Sequence, residues 1–252
     1  MKHAIISYKG QIYNATTNDE SILQLENGES VSVDDVQFLP PVKPHTIFTL
    51  GLNYADHAAE LSFKEAPKEP LVFLKGPNTL IGHKEKTIRP IDVEFMHYEC
   101  ELAVVIGKQG KHIKAEDAYD YIKGYTVAND YAIRDYLENY YRPNLRTKNR
   151  DTCTPIGPYF VDKNDIPDPM NLTLTTTVNG EVVQTGSTKD MIFSISYLIE
   201  YLSSFMTLNE GDILLTGTPK GSVDTNHGDV VQTEVEGVGR LENTIIAPRW
   251  EA

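Results

Sequence analysis

The chain has 252 residues of ordinary globular composition, enough for one large core or for one core with a small lobe. Its formal net charge of −13 argues against nonspecific binding to nucleic acid or to anionic membranes, while a local basic run can still receive a small anionic substrate. Two cysteines with no evident reason to pair, an N-terminus (Met1-Lys2-His3-Ala4-Ile5-Ile6-Ser7-Tyr8) that turns polar too soon for a signal peptide, and no apolar run of membrane length lead us to expect a soluble, cytoplasmic protein in a reducing compartment.

In chain order, residues 1–42 read as a small N-terminal β unit, with short strands at 4–8, 11–14, 22–25 and 30–33 broken by Gly10 and by Asn27-Gly28. Pro40-Pro41 and Pro44 form a stiff connector. The main domain, 43–252, opens with a strand at 46–50 that ends at Gly51. Further strands are expected at 71–74, 101–106, 172–178, 181–184, 212–216, 230–236 and 240–246, and Asn179-Gly180 is a two-residue hairpin signal. Helices are few. One is expected at 115–123, stopped by Gly124. Another is expected at 190–205, with Ile192, Ile195, Ile199 and Leu202 on one face. Strands outnumber helices and do not alternate with them, so the fold class is mainly β with α (α+β) rather than a doubly wound sheet.

The chemistry concentrates in the run His97-Tyr98-Glu99-Cys100-Glu101-Leu102-Ala103-Val104-Val105-Ile106-Gly107. Residues i and i+2 of a strand share a face, so Glu99 and Glu101 project together. Side by side on a half-buried strand they repel each other and resist desolvation, and a cation relieves both. Asp130, at the end of a second apolar stretch (Val127-Ala128-Asn129-Asp130), supplies a third oxygen. Three carboxylates without His or Cys describe a site for a hard cation, Mg²⁺ or Mn²⁺. Taken alone, Glu-x-Glu is common on solvent-facing strand edges, so the rest of the chain decides.

Asn53-Tyr54-Ala55-Asp56-His57-Ala58-Ala59-Glu60-Leu61 follows the strand at 46–50, with Asn53 as the expected N-cap of a short helix. His57 and Glu60 stand at i and i+3, where a carboxylate can fix an imidazole as a general base. From Arg134 to Arg150 five basic residues (Arg134, Arg142, Arg146, Lys148, Arg150) face two acids, Asp135 and Glu138. Lys148 near a cation can hold a carboxylate or a developing enolate. Gly217-Thr218-Pro219-Lys220-Gly221 can offer N–H groups and the Thr218 hydroxyl to an anion, and lacks the spacing of a nucleotide-binding loop. Lys75 and Asp151 carry no assigned role.

In this order the motifs resemble the fumarylacetoacetate hydrolase superfamily over residues 45–246. The resemblance rests on Gly51-Leu52-Asn53-Tyr54-Ala55-Asp56-His57, Phe73-Leu74-Lys75-Gly76-Pro77, Tyr98-Glu99-Cys100-Glu101-Leu102, Asn129-Asp130, Thr154-Pro155-Ile156-Gly157-Pro158 and Leu215-Thr216-Gly217-Thr218-Pro219-Lys220-Gly221. It implies a mixed β-roll of curved sheets, in an assembly that is usually dimeric. It implies that Glu99, Glu101 and Asp130 are metal ligands and that His57 with Glu60 is an acid/base pair on a lid. It further implies that Lys148 and Thr218 contact a 2-oxo acid and that Arg134 lies near its carboxylate. Many hydrolases of the family carry Arg-Asp-x-Gln after the metal Asp, whereas this chain has Arg134-Asp135-Tyr136-Leu137. The stretch 131–146 is instead similar to family members that decarboxylate 5-oxopent-3-ene-1,2,5-tricarboxylate and isomerise 2-hydroxyhepta-2,4-diene-1,7-dioate in aromatic catabolism. Such enzymes are often tandem pairs of one unit, so a homodimer is the expected substitute here. The alternative expectations are an acylpyruvate hydrolase or oxaloacetate decarboxylase on the same site, and a metabolite-binding protein without catalysis.

Overall fold

The computed structural model describes residues 1–60, 67–137 and 144–248, with the backbone alone for residues 58–60. Among the described residues the largest sheet has eleven strands. Its order runs from Ser30–Ser32 through Ile22–Leu25, Gln11–Thr17, Lys2–Tyr8, Phe160–Asp162, Ile122–Asn129, Cys100–Ile106, Ile213–Leu215 and Ile47–Gly51 to Leu71–Lys75. The remaining strand, Gln37–Leu39, pairs off this path with Lys2–Tyr8. A five-stranded sheet orders Glu181–Ser187, Thr173–Val178, Val230–Val235, Gly239–Ile246 and Lys86–Ile88. The fold is therefore mostly β with few helices, and no helix among the described residues is long and apolar enough to cross a membrane.

The strand Cys100–Ile106 is buried along its whole length rather than half-buried, because it lies inside the large sheet with both faces covered. Its period-two alternation sorts the side chains. Cys100, Leu102, Val104 and Ile106 point into the main core, with Leu174, Val235, Leu241 and the helix Ile195–Phe205. The opposite face carries Glu101 and, next to it, Ala103, which packs with Ile47, Ile213 and Leu215. The helix Ile195–Phe205 is capped by the Ser194 hydroxyl, which accepts from the Tyr197 N–H, and it buries Ile195, Leu198, Ile199 and Leu202. Each of those side chains contributes about 1.5–3 kcal/mol relative to exposure. The helix begins later than expected because residues 188–190 form a separate 3-10 turn. The first four strands and Gln37–Leu39 enclose their own small cluster (Ile6, Leu23, Leu25, Phe38), while Lys2–Tyr8 also pairs with Phe160–Asp162.

One expected helix is absent. Residues Ala115–Tyr121 form a 3-10 segment, and the chain then enters the strand Ile122–Asn129, with Gly124 inside it. Gly124 is there for clearance and not as a helix stop. A Cβ at this position would overlap the carbonyl oxygen of Val161 and the ring of Phe160 on the neighbouring strand. The Asn179-Gly180 hairpin forms as expected, with positive φ at both turn residues (52° and 85°) joining Thr173–Val178 to Glu181–Ser187. Gly124→Val is predicted to destabilise the protein by about 1–3 kcal/mol or more through overpacking, read as a lower urea midpoint at unchanged slope.

Candidate active site

The antiparallel register of two neighbouring strands assembles the acidic cluster. Cys100 stands opposite Asn129 and Glu101 opposite Ala128. One step further along the ladder, the Asp130 N–H donates to the Glu99 carbonyl at 2.9 Å, and the Asn129 side-chain oxygen accepts from the Glu99 N–H at 2.9 Å. Glu99, Glu101 and Asp130, all buried, then bring one carboxylate oxygen each within 4.8 Å of one another. A third segment closes the site from the other edge. The Gly217 N–H, just past Ile213–Leu215, donates to Glu101 Oε2 at 2.6 Å. The turn that looked able to offer N–H groups to an anion thus gives one of them to the protein's own carboxylate.

Two buried lysines enter the cluster. Lys148, the last residue of the short helix Leu145–Lys148, donates through Nζ to Glu99 and to Asp130, the latter at 2.8 Å. Lys75, the last residue of the edge strand Leu71–Lys75, donates to Asp130 Oδ1 and to the Lys148 carbonyl. The Thr49 hydroxyl donates to Asp130 Oδ2 at 3.1 Å. Sequence reasoning left Lys75 without a role. The signals for it were a lysine ending an apolar strand run and its place in the family-like stretch Phe73-Leu74-Lys75-Gly76-Pro77.

These neighbours divide the carboxylates. Burial opposes the charge of Glu99, but Lys148, then His97 and His57, outweigh it and hold that carboxyl down at about 2. Glu101 has no ammonium of its own. Burial first, then the charges of Asp130 and Glu99, push its carboxyl well above the ordinary range, and Lys148 and the Gly217 N–H only partly offset them. Glu101 Oε1 is buried with no hydrogen-bond partner among the described residues. Burial works against the charge of Lys148 as well, yet Asp130, Glu99 and Glu101 raise its pKa above the ordinary lysine value. For Lys75 burial is likewise outweighed by Asp130, and its pKa is raised. An orphaned carboxylate oxygen beside two further oxygen donors, with no His nitrogen or thiolate in the set, fits Mg²⁺ or Mn²⁺.

The other expected residues surround this cluster. His57 is buried on the helix Ala55–Glu60, close enough to Glu99 for its charge to act on that carboxylate. Glu60 closes the same helix, and its side chain lies outside the described residues, as does Arg142. Asn53 is not an N-cap. Its buried amide donates to the carbonyls of Thr216 and Phe193 and accepts from the Phe193 N–H, tying the loop after Gly51 to two distant segments. Arg134 donates through Nε to His97 Nε2 at 2.8 Å. His97 Nδ1–H donates to the Tyr98 carbonyl at 3.0 Å. Burial is the main cause that pushes this imidazole down to about 4, so it is neutral at pH 7 and can accept from Arg134. Nothing in the sequence marked His97 apart from its place two residues before Glu99. Thr218 is buried, with its hydroxyl against Gln184. Arg146 stacks over the Tyr136 ring at 3.7 Å instead of entering the site. Asp151 accepts from Asn78 at 2.8 Å, away from the cluster. Leu137 ends the turn after Arg134 and is largely exposed.

Comparison with known proteins places this arrangement. Residues 46–246 match the family model described as fumarylacetoacetate (FAA) hydrolase C-terminal. The chain is 62% identical over 210 residues to the 4-hydroxyphenylacetate degradation bifunctional isomerase/decarboxylase of Escherichia coli, covering 82% of this chain and 49% of that protein. It thus spans about half the length of the curated relatives it matches first. It is 42% identical to the mitochondrial oxaloacetate tautomerase Fahd2a of Rattus norvegicus over 84% of this chain and 70% of that one. Among solved structures, the 5-carboxymethyl-2-hydroxymuconate delta-isomerase of Mycobacterium smegmatis superposes with a TM-score of 0.87 at 34% identity, over 98% of this chain and 99% of that one. The 2-hydroxyhepta-2,4-diene-1,7-dioate isomerase of Mycobacterium marinum gives 0.86 at 30% identity, over 99% of each.

Two substitutions separate the roles of the charges. Glu101→Gln should leave the metal-free protein melting at least as high as the parent, since it removes a buried carboxylate that has no counter-charge. The same variant should lose the thermal stabilisation by Mn²⁺ or Mg²⁺. That stabilisation amounts to about 2.7 kcal/mol in the parent at a cation concentration a hundred times Kd. Lys148→Met should cost the metal-free protein about 3–5 kcal/mol in urea denaturation, because Glu99 is left buried without its ammonium partner.

Proposed function

The chain belongs to the fumarylacetoacetate hydrolase C-terminal family, and on that basis we propose that it is a divalent-metal-dependent isomerase and decarboxylase of 2-oxo and 2-hydroxydienoic acids in aromatic catabolism. The observation that carries this reading is the buried triad of Glu99, Glu101 and Asp130, with its orphaned Glu101 oxygen, lying beside two lysines and within electrostatic reach of His57. We assign Glu99, Glu101 and Asp130 as the residues that hold Mg²⁺ or Mn²⁺. When bound, the ion supplies Lewis-acid stabilisation of negative charge on the 2-oxo oxygen.

The chain's own groups do the rest. An ammonium has three N–H donors, and Lys148 gives two of them to Glu99 and Asp130, which leaves one for the oxo acid. The Thr218 hydroxyl donates to the same oxo-acid group. Arg134, which donates through Nε to His97, lies near the carboxylate of the oxo acid in this reading. Decarboxylation breaks the bond to the departing carboxylate, and its electron pair enters the dienolate as CO₂ leaves. His57, to which we assign Glu60 as acid/base partner, then delivers a proton to carbon. In isomerisation the same imidazole takes a proton from one carbon and returns it at another, so one site serves both steps.

The preferred substrates are 5-oxopent-3-ene-1,2,5-tricarboxylate and 2-hydroxyhepta-2,4-diene-1,7-dioate. Likeness to the Escherichia coli and mycobacterial proteins supports them, as does Leu137 where many hydrolases of the family carry Gln. Likeness to an oxaloacetate tautomerase supports the tautomerisation step in particular. Pairing with a second copy of the chain is part of the proposal, supported by the exposed Leu74 and Leu145 on the lysine-bearing segments. Both cysteines are free and buried, in keeping with a reducing compartment such as the cytoplasm.

The test is turnover of the tricarboxylate, the hydroxydienoate, an acylpyruvate and oxaloacetate with Mg²⁺, Mn²⁺ or EDTA. The expected result is metal-dependent CO₂ release from the tricarboxylate or tautomerisation of the hydroxydienoate, both stopped by EDTA, with the acylpyruvate intact. Cleavage of the acylpyruvate or oxaloacetate alone would move the protein to the hydrolase or oxaloacetate decarboxylase side. Tight binding without turnover of any of the four would make it a binding protein. His57→Ala should lower kcat by about 10²–10⁴ at unchanged metal affinity.

A further inference from the structure

We propose that Gln184 is a positioning residue that fixes the Thr218 hydroxyl as a hydrogen-bond donor toward the oxo-acid group of the substrate. The inference rests on the Thr218 contact proposed above and adds to it the residue that sets its polarity.

Gln184 is buried on the strand Glu181–Ser187 of the five-stranded sheet, a different sheet from the one that carries the carboxylates. Its side-chain orientation follows from its partners. The Pro219 carbonyl can only accept, so the Gln184 group 2.7 Å from it is the NH₂. The Gln184 carbonyl then faces the Thr176 hydroxyl, which donates to it at 2.8 Å. The second N–H of the amide falls on Thr218 Oγ1 at 3.1 Å. A hydroxyl that accepts from an amide N–H cannot aim its own proton back at that nitrogen. The Thr218 proton therefore points away from Gln184 and is available to an acceptor.

The position of that proton matters because Gly217, one residue earlier, gives its N–H to Glu101 Oε2 in the triad. Other contacts keep the loop seated on the strand. A Cβ at Gly186 would overlap the Pro219 ring, so the strand meets the loop with no side chain between them. At the far end of the loop the Tyr98 hydroxyl donates to the Gly221 carbonyl at 2.6 Å, and Tyr98 adjoins Glu99. The loop is thus fastened to the acidic strand at one side and to Gln184 at the other. The hydroxyl between them has its proton turned away from Gln184 before any anion arrives.

The experiment is a double-mutant cycle on the Mn²⁺-loaded protein, with the Kd of oxalate, an unreactive dicarboxylate that stands in for the oxo-acid group, measured by calorimetry. Thr218→Val removes the hydroxyl. Gln184→Glu is isosteric but accepts where the amide donated, so it draws the Thr218 proton to itself. Each single change should weaken oxalate by about tenfold, the effect of one hydrogen bond. In the Thr218→Val background, Gln184→Glu should weaken it no further. Mn²⁺ affinity should be the same in all four proteins. Gln184→Met, which keeps the volume and donates nothing, carries the same expectation and stands in if Gln184→Glu folds poorly. Should Thr218→Val weaken oxalate while the Gln184 changes have no effect, or multiply with it, the Gln184 assignment is overturned and the Thr218 contact stands. If Thr218→Val leaves oxalate binding unchanged, the contact itself is wrong and the inference falls with it.

Discussion

Three carboxylates share one dry place, and the site is organised around neutralising them. Glu99, Glu101 and Asp130 carry three negative charges when all are ionised, and Lys75 and Lys148 return two. Without a cation one negative charge stays uncompensated, and it falls on Glu101, the carboxyl that burial and its two acidic neighbours push well above the ordinary range. A bound divalent ion would leave the cluster one positive charge in excess, which would suit an arriving anion. The lysines thus offset two of the three negative charges and hold Glu99 and Asp130 in place.

The fold supplies this arrangement through strand geometry. A strand buried on both faces needs apolar side chains almost everywhere, and Cys100–Ile106 breaks that rule only at Glu101, with Glu99 just before it. Antiparallel pairing with Ile122–Asn129 delivers Asp130 opposite Glu99, and the neighbouring strand on the other side delivers the Gly217 N–H to Glu101. The lysines arrive from an edge strand and from the end of a one-turn helix. Five segments far apart in sequence meet at one end of the sheet, and Asn53 fastens two of their supports, the loop at Thr216 and the start of the core-facing helix near Phe193.

Much of this was legible in the sequence where the signal is local. The period-two rule alone puts Glu99 and Glu101 on one face, the 3.6 period marks Ile195, Ile199 and Leu202 as a core stripe, while Ile192 of the same pattern lies before the helix and is only partly buried, and Asn179-Gly180 gives its hairpin away. What escaped depended on partners chosen by register. Gly124 reads as a helix stop until a neighbouring strand is seen to press against it. Asn53 reads as a cap until Thr216 and Phe193 are seen to claim its amide. Lys75 and His97 look like ordinary strand residues until pairing puts one on Asp130 and the other under Arg134. Gln184 belongs to a second sheet whose contact with the 217–219 turn no local pattern encodes.

The most direct test of the neutralisation account is an anomalous difference map from crystals of the protein grown with Mn²⁺. The account predicts one strong peak per chain bounded by oxygens of Glu99, Glu101 and Asp130, with Glu101 Oε1 among the ligands and both lysines still on their carboxylates. A map with no peak there at saturating Mn²⁺ would contradict it.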